Sequence, residues 1–235
     1  MSLHEHIGQA LFPQHCAGCE APVANAGSFG FCHSCCTMLK ENNGPRCAHC
    51  DRPGLAERCH HCKTNQSPLQ RIWAPYLFGG PLQHAIHRVK FAKEEHWLRP
   101  LSELILSHVE IGAGKAEFGS VVPVPLGAKR LRERGFNQSA VLARALSRHW
   151  RLPLVHALKR QRETLPQSSL SAQKREENMQ NAFTAVKIPE TGPILLVDDV
   201  ISTGATLRHA AKALAAKSKL PVFALALAHS DPQSP

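Results

Sequence analysis

The stretch LLVDDVISTGATL, residues 195 to 207, decides the fold. Leu195, Leu196 and Val197 extend an apolar run from Ile194 into two adjacent carboxylates, Asp198 and Asp199. A short apolar run closed by a turn predicts a buried strand of a parallel sheet. Ser202, Thr203 and Gly204 make the turn, and an alanine-rich helical pattern follows from Thr206 to Ala216. Ligands of open parallel sheets bind beyond the carboxyl ends of the strands, so this turn should face one. The amides of Thr203, Gly204, Ala205 and Thr206 at a helix N-terminus attract an anion, and Gly204 lets the ligand approach the backbone closely. No Gly-Lys-Ser/Thr follows at Walker spacing, so no lysine reaches a β or γ phosphate. Two carboxylates repel phosphate and need hydroxyls or a metal ion as partners. A sugar 5-phosphate with a free vicinal diol satisfies both halves, the phosphate in the turn and the diol on the carboxylates. Two other readings stand beside this one. ILLVDD also opens receiver domains, which need about 100 further residues, more than follow Asp199. A capped helix with incidental aspartates is the plainer alternative.

Working outward, strand-like and helix-like segments alternate from Leu69 onward. IWAPYLF reads as a strand; Pro81 to Lys90 and Trp97 to Val109 carry helical periodicity. SVVPVP, from Ser120, is a short buried strand, Phe136 to Trp150 an amphipathic helix with Val141, Leu142 and Leu146 on one face, and VFALALA, from Val222, a closing strand. Such alternation predicts an α/β domain with a parallel sheet over residues 69–235.

Residues 1–65 differ in kind. Eight of the nine cysteines form C-x-x-C pairs: Cys16/Cys19, Cys32/Cys35, Cys47/Cys50 and Cys59/Cys62, separated in turn by 12, 11 and 8 residues. Two thiolates on one tight knuckle can face one ion, and a second knuckle completes a tetrahedral site. Sequential pairing is expected, with Cys16, Cys19, Cys32 and Cys35 on one zinc and Cys47, Cys50, Cys59 and Cys62 on the other. Pairing of outer with inner knuckles fits the same spacing, and redox dithiols are disfavoured because no pair sits in a βαβ pattern. Few large aliphatics are available here, so zinc supplies the folding energy. Cys36 is left as a free thiol, and His33, His49, His60 and His61 read as surface residues. The polar stretch KTNQSP, from Lys63 to Pro68, is the linker.

The formal charge of +10 falls to +6 once eight thiolates and two zinc ions are counted, which still favours polyanionic partners. KRLRERGFNQ (Lys129 to Gln138) and LKRQRE (Leu158 to Glu163) concentrate the charge. Lys129, Arg130, Arg132 and Arg134 are candidate nucleic-acid contacts, or else a solvated helix face with pairs such as Arg130 with Glu133. The aromatic residues lie mostly inside apolar patterns, so no stacking platform for single strands is evident. The sequence offers neither a membrane span nor a secretory signal, and a cytoplasmic location without membrane insertion is expected.

The 195–207 stretch resembles the 5-phosphoribosyl-1-pyrophosphate (PRPP) binding motif of type I phosphoribosyltransferases. Three further segments extend the likeness: VPVPLGAKRLRERGFNQSAVLA (Val122 to Ala143) with its RGFNQS, LKRQRETLPQSSLSAQKREENMQNAF (Leu158 to Phe183), and the cysteine knuckles. Over nearly its whole length the chain resembles the ComF competence-protein family, also called GntX-like. That resemblance implies a double zinc ribbon followed by a type I phosphoribosyltransferase-like domain. It implies that Asp198 and Asp199 hold the ribose hydroxyls, and that Ser202, Thr203, Gly204, Ala205 and Thr206 hold the 5-phosphate. The turn around Val124 to Leu126 would face pyrophosphate, with Mg2+ as its counterion. A mobile segment bearing Arg160, Arg162, Thr164 and Gln167 would close over the reacting centre and exclude water, Arg162 and Gln167 being the catalytic candidates. Some purine phosphoribosyltransferases carry an aspartate just before Thr-Gly. Ser202 stands there in this chain, so no base for the acceptor is named. The family's association with DNA uptake adds a second reading: a non-catalytic competence factor engaging single-stranded DNA or uptake proteins.

Overall fold

The computed structural model describes residues 14–23, 30–54, 57–108, 118–161 and 181–230. In chain order these hold β1 (Gln14–His15) and β2 (Pro22–Val23), an antiparallel pair, then α1 (His33–Thr37) and α2 (His60–Thr64). β3 (Leu69–Trp73) and β4 (Tyr76–Phe78) divide the expected IWAPYLF strand, because Pro75 has no N–H to donate and biases the residue before it. α3 (Gly80–His87) runs into a π-helical turn, Arg88–Ala92, and a 3-10 turn, Glu95–Trp97, before α4 (Leu98–Leu106). β5 (Ser120–Pro123), α5 (Ala128–Arg134), α6 (Gln138–Trp150), β6 (Leu158–Arg160), β7 (Phe183–Ala185), β8 (Ile194–Ile201), α7 (Ala205–Ala215) and β9 (Val222–Ser230) complete it.

The main sheet is parallel in the order β3, β9, β8, β5, and β4 pairs further along the edge of β9 that β3 uses. β5, β8 and β9 read as largely apolar runs because both faces are covered, whereas β3 at the edge carries Gln70 and Arg71. Leu195 and Val197 of β8 turn to a core shared with Leu101, Leu104, Leu142 and Leu146 of α4 and α6. Ile194 and Leu196 turn the other way, toward Leu207, Ala210, Ala211 and Leu214 of α7 and toward Phe183 of the antiparallel β6–β7 hairpin. This alternation leaves the carboxyl end of β8 between two helical layers.

The cysteine-rich segments share these cores. Cys16, Ala17, Phe31 and Cys35 are buried with Trp73, Leu82 and Leu98, while Cys47, Cys50, Cys59 and Cys62 belong to the core that holds Leu69 and Ile72. No helix among the described residues is long and apolar enough to cross a membrane.

Candidate functional site

Strand β8 delivers Asp198 and Asp199, both under 10% exposed, to the end of the sheet. Each is held by a different neighbour. Asp198 Oδ1 accepts from Ser139 Oγ at 2.8 Å and from the Asp199 amide at 2.9 Å. Asp199 Oδ2 lies 2.6 Å from Lys90 Nζ. Burial, reinforced by the charge of its neighbour, pushes the Asp198 carboxyl up to about 7. Burial acts on Asp199 too, but the Lys90 ammonium outweighs it and holds that carboxyl below its usual range.

The RGFNQS segment builds the wall opposite. Gly135, at φ 89°, closes α5 in a left-handed conformation that suits glycine. Asn137 caps α6, its Oδ1 accepting from the Ser139 amide at 3.1 Å, while its Nδ2 donates to Val124 O at 2.9 Å. One side chain thus ties the turn after β5 to the helix that presents Ser139. Arg134 donates from Nε to Lys90 O at 3.1 Å and from Nη1 to Gln138 Oε1 at 2.6 Å, bracing the π turn that presents Lys90. Burial lowers the Arg134 pKa, and the charge of Asp199 opposes that shift. The extra residue of a π turn re-aims a side chain, a device common at functional sites.

Beyond β8, Ser202, Thr203 and Gly204 form the turn, with Gly204 at φ 72°, and α7 starts at Ala205. Arg208 N donates to Gly204 O at 2.9 Å, the first bond of the helix. Thr203 Oγ1 accepts from the Ala205 amide at a long 3.4 Å. The first-turn donors and the partial positive charge of the helix N-terminus therefore meet the acidic pair across one turn of chain.

The cysteines gather into two clusters, Cys16, Cys19, Cys32 and Cys35 in one and Cys47, Cys50, Cys59 and Cys62 in the other, with the sulfurs of each within 4.8 Å of one another. The sulfurs of Cys19 and Cys32 are 3.8 Å apart, as are those of Cys50 and Cys59. A Zn–S bond of about 2.3 Å gives a tetrahedral edge of about 3.8 Å, so both clusters have the size of a zinc site. Burial alone would raise the Cys16 thiol, yet the amides of Cys32, Cys19 and Gly18 aimed at its sulfur bring it down to about 6. Burial would raise the Cys47 thiol in the same way, and the amides of Cys59, Cys50 and His49 lower it to about 7. The two ribbons repeat one plan: Cys32 N donates to Cys16 Sγ and Cys59 N to Cys47 Sγ, each at 3.2 Å. Cys36 is a free thiol and half-buried.

The ribbons lean on opposite parts of the site. His84 Nδ1 of α3 lies 3.2 Å from Gly18 O of the first ribbon, and Arg88 pairs with Glu20 at 3.1 Å. From the second, His61 Nε2 lies 2.7 Å from Arg208 Nη1. His33 and His60 are exposed as expected from the sequence, but His61 is half-buried against α7 and His49 is half-buried too, which corrects the reading of these two as surface residues. Each cluster has four cysteines of its own, which leaves the His61 imidazole available for its contact to Arg208.

Lys129 and Arg132 are exposed, Arg130 is half-exposed, and Arg134 turns inward as described. Lys129 pairs with Glu133 at 4.0 Å on this helix. Arg162, Thr164 and Gln167 lie outside the described residues, whereas Arg160 ends β6 at the base of that segment. Phe91, which lay unnoticed in the sequence, is 71% exposed on the π turn. Lys90, Ser139, His61 and Arg208 were likewise missed as site residues. Ser139 sits within a quoted motif, but nothing local marked Lys90, whose partner is more than a hundred residues away.

A phosphoribosyl transferase domain model matches residues 136–234. The DNA utilization protein YhgH of Escherichia coli K12 is 33% identical, the match covering 86% of this chain and 91% of that protein. Competence protein F of Haemophilus influenzae is 31% identical over 87% of this chain and 92% of its own length. Competence protein ComFC of Bacillus subtilis is 29% identical, covering 80% of this chain and 79% of that one.

Proposed function

The chain belongs to the ComF family of competence and DNA utilization proteins, with a phosphoribosyl transferase domain as its sheet half, and from that premise we propose that it binds PRPP with Mg2+ and transfers the phosphoribosyl group. The observation that carries this reading is the buried Asp198–Asp199 pair set beside the Gly204 turn at the mouth of α7. In it, the ribose hydroxyls donate to the two carboxylates, and Ser139 fixes the rotamer of Asp198 by occupying one oxygen. The amides from Thr203 to Thr206, with the Ser202 and Thr203 hydroxyls, receive the 5-phosphate. Lys90 neutralises Asp199 while the diol is absent, and on ligand entry its ammonium stands beside newly arrived phosphate charge. Magnesium supplies charge neutralisation for the pyrophosphate leaving group. Arg162 and Gln167 belong to the segment that leaves β6 at Arg160 and returns at β7, and their assigned work is closure over the reacting carbon. Ser202 precedes Thr-Gly, so the acceptor receives no base from this turn.

Zinc is the proposed ion of both clusters, with a structural role, since four thiolates leave no open position. A reducing cytoplasm suits eight thiolates of this kind. A second reading, a competence factor that engages single-stranded DNA or uptake proteins, is favoured by Phe91 exposed near the basic helix α5. Its relatives' names, competence protein F and DNA utilization protein, support that setting. Calorimetric titration of Mg2+–PRPP into the wild type and into the Asp198→Asn/Asp199→Asn double variant separates the two, with zinc content matched. Binding by the wild type alone is the expected result. No binding by either protein rejects the phosphoribosyl reading and leaves the DNA reading in possession.

A further inference from the structure

We propose that the second ribbon positions the phosphate-binding turn, acting from His61 through Arg208 on the peptide between Thr203 and Gly204. The inference rests on the reading of that turn as the 5-phosphate site.

The contact chain is short and buried. Arg208 is 6% exposed, lies on the first turn of α7, and donates from Nη1 to Thr203 O at 2.7 Å. The same nitrogen is 2.7 Å from His61 Nε2. A guanidinium carries only donors, so Nε2 accepts; the ring proton then sits on Nδ1, 3.2 Å from the Asn65 side-chain amide, whose oxygen is the end that accepts it. The cleft around this contact, lined by His61, Asn65, Thr203, Gly204, Arg208 and His229, has room for about one water, and the contact therefore acts as a brace.

What the brace does follows from peptide geometry. In a trans peptide the carbonyl and the next N–H point in opposite directions. Arg208 draws Thr203 O toward the protein, so the Gly204 N–H is turned outward, to the side where an anion would sit. Gly204 tolerates either sign of φ, so nothing in the turn itself prevents that peptide from flipping. A flip would present a carbonyl oxygen to the phosphate in place of a donor. The hold on Arg208 is what selects between the two states.

The ribbon is suited to supply that hold. His61 sits between Cys59 and Cys62, which both belong to the second cysteine cluster, on the five-residue α2. A single helical turn has no stability of its own. Anchoring the two cysteines fixes the imidazole between them. The first ribbon carries Ser34 at the equivalent place of its own C-x-x-C pair, so the reach to Arg208 is particular to the second.

The test uses the zinc-loaded full chain with His61→Leu, which removes the acceptor, His61→Gln, which keeps one, and His60→Leu, an exposed neighbour on the same turn. Hydrogen exchange of amides 203–208 is measured without ligand, and Mg2+–PRPP affinity by calorimetry. His61→Leu should retain both zinc ions, exchange faster across 203–208, and bind PRPP about tenfold more weakly, a coupling within the usual range. His61→Gln should recover most of both effects, and His60→Leu should match the wild type. Unchanged exchange in His61→Leu with zinc retained overturns the proposal, as does failure of His61→Gln to recover. If the wild type does not bind PRPP, the functional reading fails, and the exchange data alone still decide whether the brace exists. If His61→Leu loses zinc, Arg208→Met provides the same exchange readout from the other end, and an undisturbed turn there also overturns the proposal.

Discussion

Replacing Lys90 by methionine removes the cation paired with Asp199 and strands a carboxylate that is about 10% exposed at its side chain. At 2.6 Å the attraction is about 6 kcal/mol for an effective dielectric constant of about 20, and desolvation of both groups offsets much of it. Breaking a buried pair by deleting one partner costs about 3–5 kcal/mol. The Lys90 side chain is 21% exposed and Arg134 stands near the stranded charge, so we expect about 2–3 kcal/mol. For a chain of this size that is a fall in Tm of about 4–12 °C. Asp199→Asn alone should cost about 1 kcal/mol, because an unpaired lysine at the rim of a cleft can turn to water. The double variant Lys90→Met/Asp199→Asn should then be more stable than Lys90→Met. Urea unfolding of the four proteins in zinc-saturated buffer gives the coupling directly, expected at about 2 kcal/mol. Additivity of the two single changes within about 0.5 kcal/mol would falsify the ion pair as a stabilising contact.

Asp198, raised to about 7, holds its proton in the folded state above the ordinary carboxylate range. Its contribution to stability is therefore present at low pH and lost as pH rises toward about 7, while binding that needs the ionised pair grows over the same window. The Mg2+–PRPP affinity of the wild type, divided by that of Asp198→Asn to cancel titration of the ligand, should climb from about pH 6 to about pH 8; a flat ratio would contradict the assignment. Metal analysis should return about two zinc per chain, with Cys16→Ser and Cys47→Ser each losing about one, whereas one zinc in the parent would overturn the two-site assignment. If α5 contacts DNA, charge reversal at Arg130 and Arg132 should flatten the salt dependence of binding by about one unit of slope per residue, and an unaltered slope would remove this helix from the interface.

The local features that the sequence displayed were those with periodic or fixed spacing. β8, α6 and α7 follow apolar runs and helical repeats to within a few residues, and the structure gathers the cysteines in the sequential order expected, where knuckle spacing alone also fitted cross-pairing. IWAPYLF divided because a single proline outranks an apolar run where backbone bonding is concerned. The β6–β7 hairpin escaped notice because its strands have three residues each and are separated by more than twenty. The acidic pair was legible, but its counterion and orienting hydroxyl were not: Lys90 and Ser139 reach Asp199 and Asp198 only through tertiary folding. His61 was hidden for a different reason, since a histidine inside a C-x-x-C pair first suggests a spare ligand or a surface residue.

The strand order carries a consequence for the chain as it emerges from the ribosome. β9 is the last described strand to be synthesised, yet it lies between β3 with β4 on one side and β8 on the other. The cysteine knuckles can meet metal while most of the sheet is still unmade. β3 and β4 must then wait, their bonding edge open, until residues 222–230 have left the exit tunnel. Late closure by a central strand ties completion of the core to the emergence of residues 222–230, and leaves an apolar edge exposed to chaperones or to aggregation in the interval.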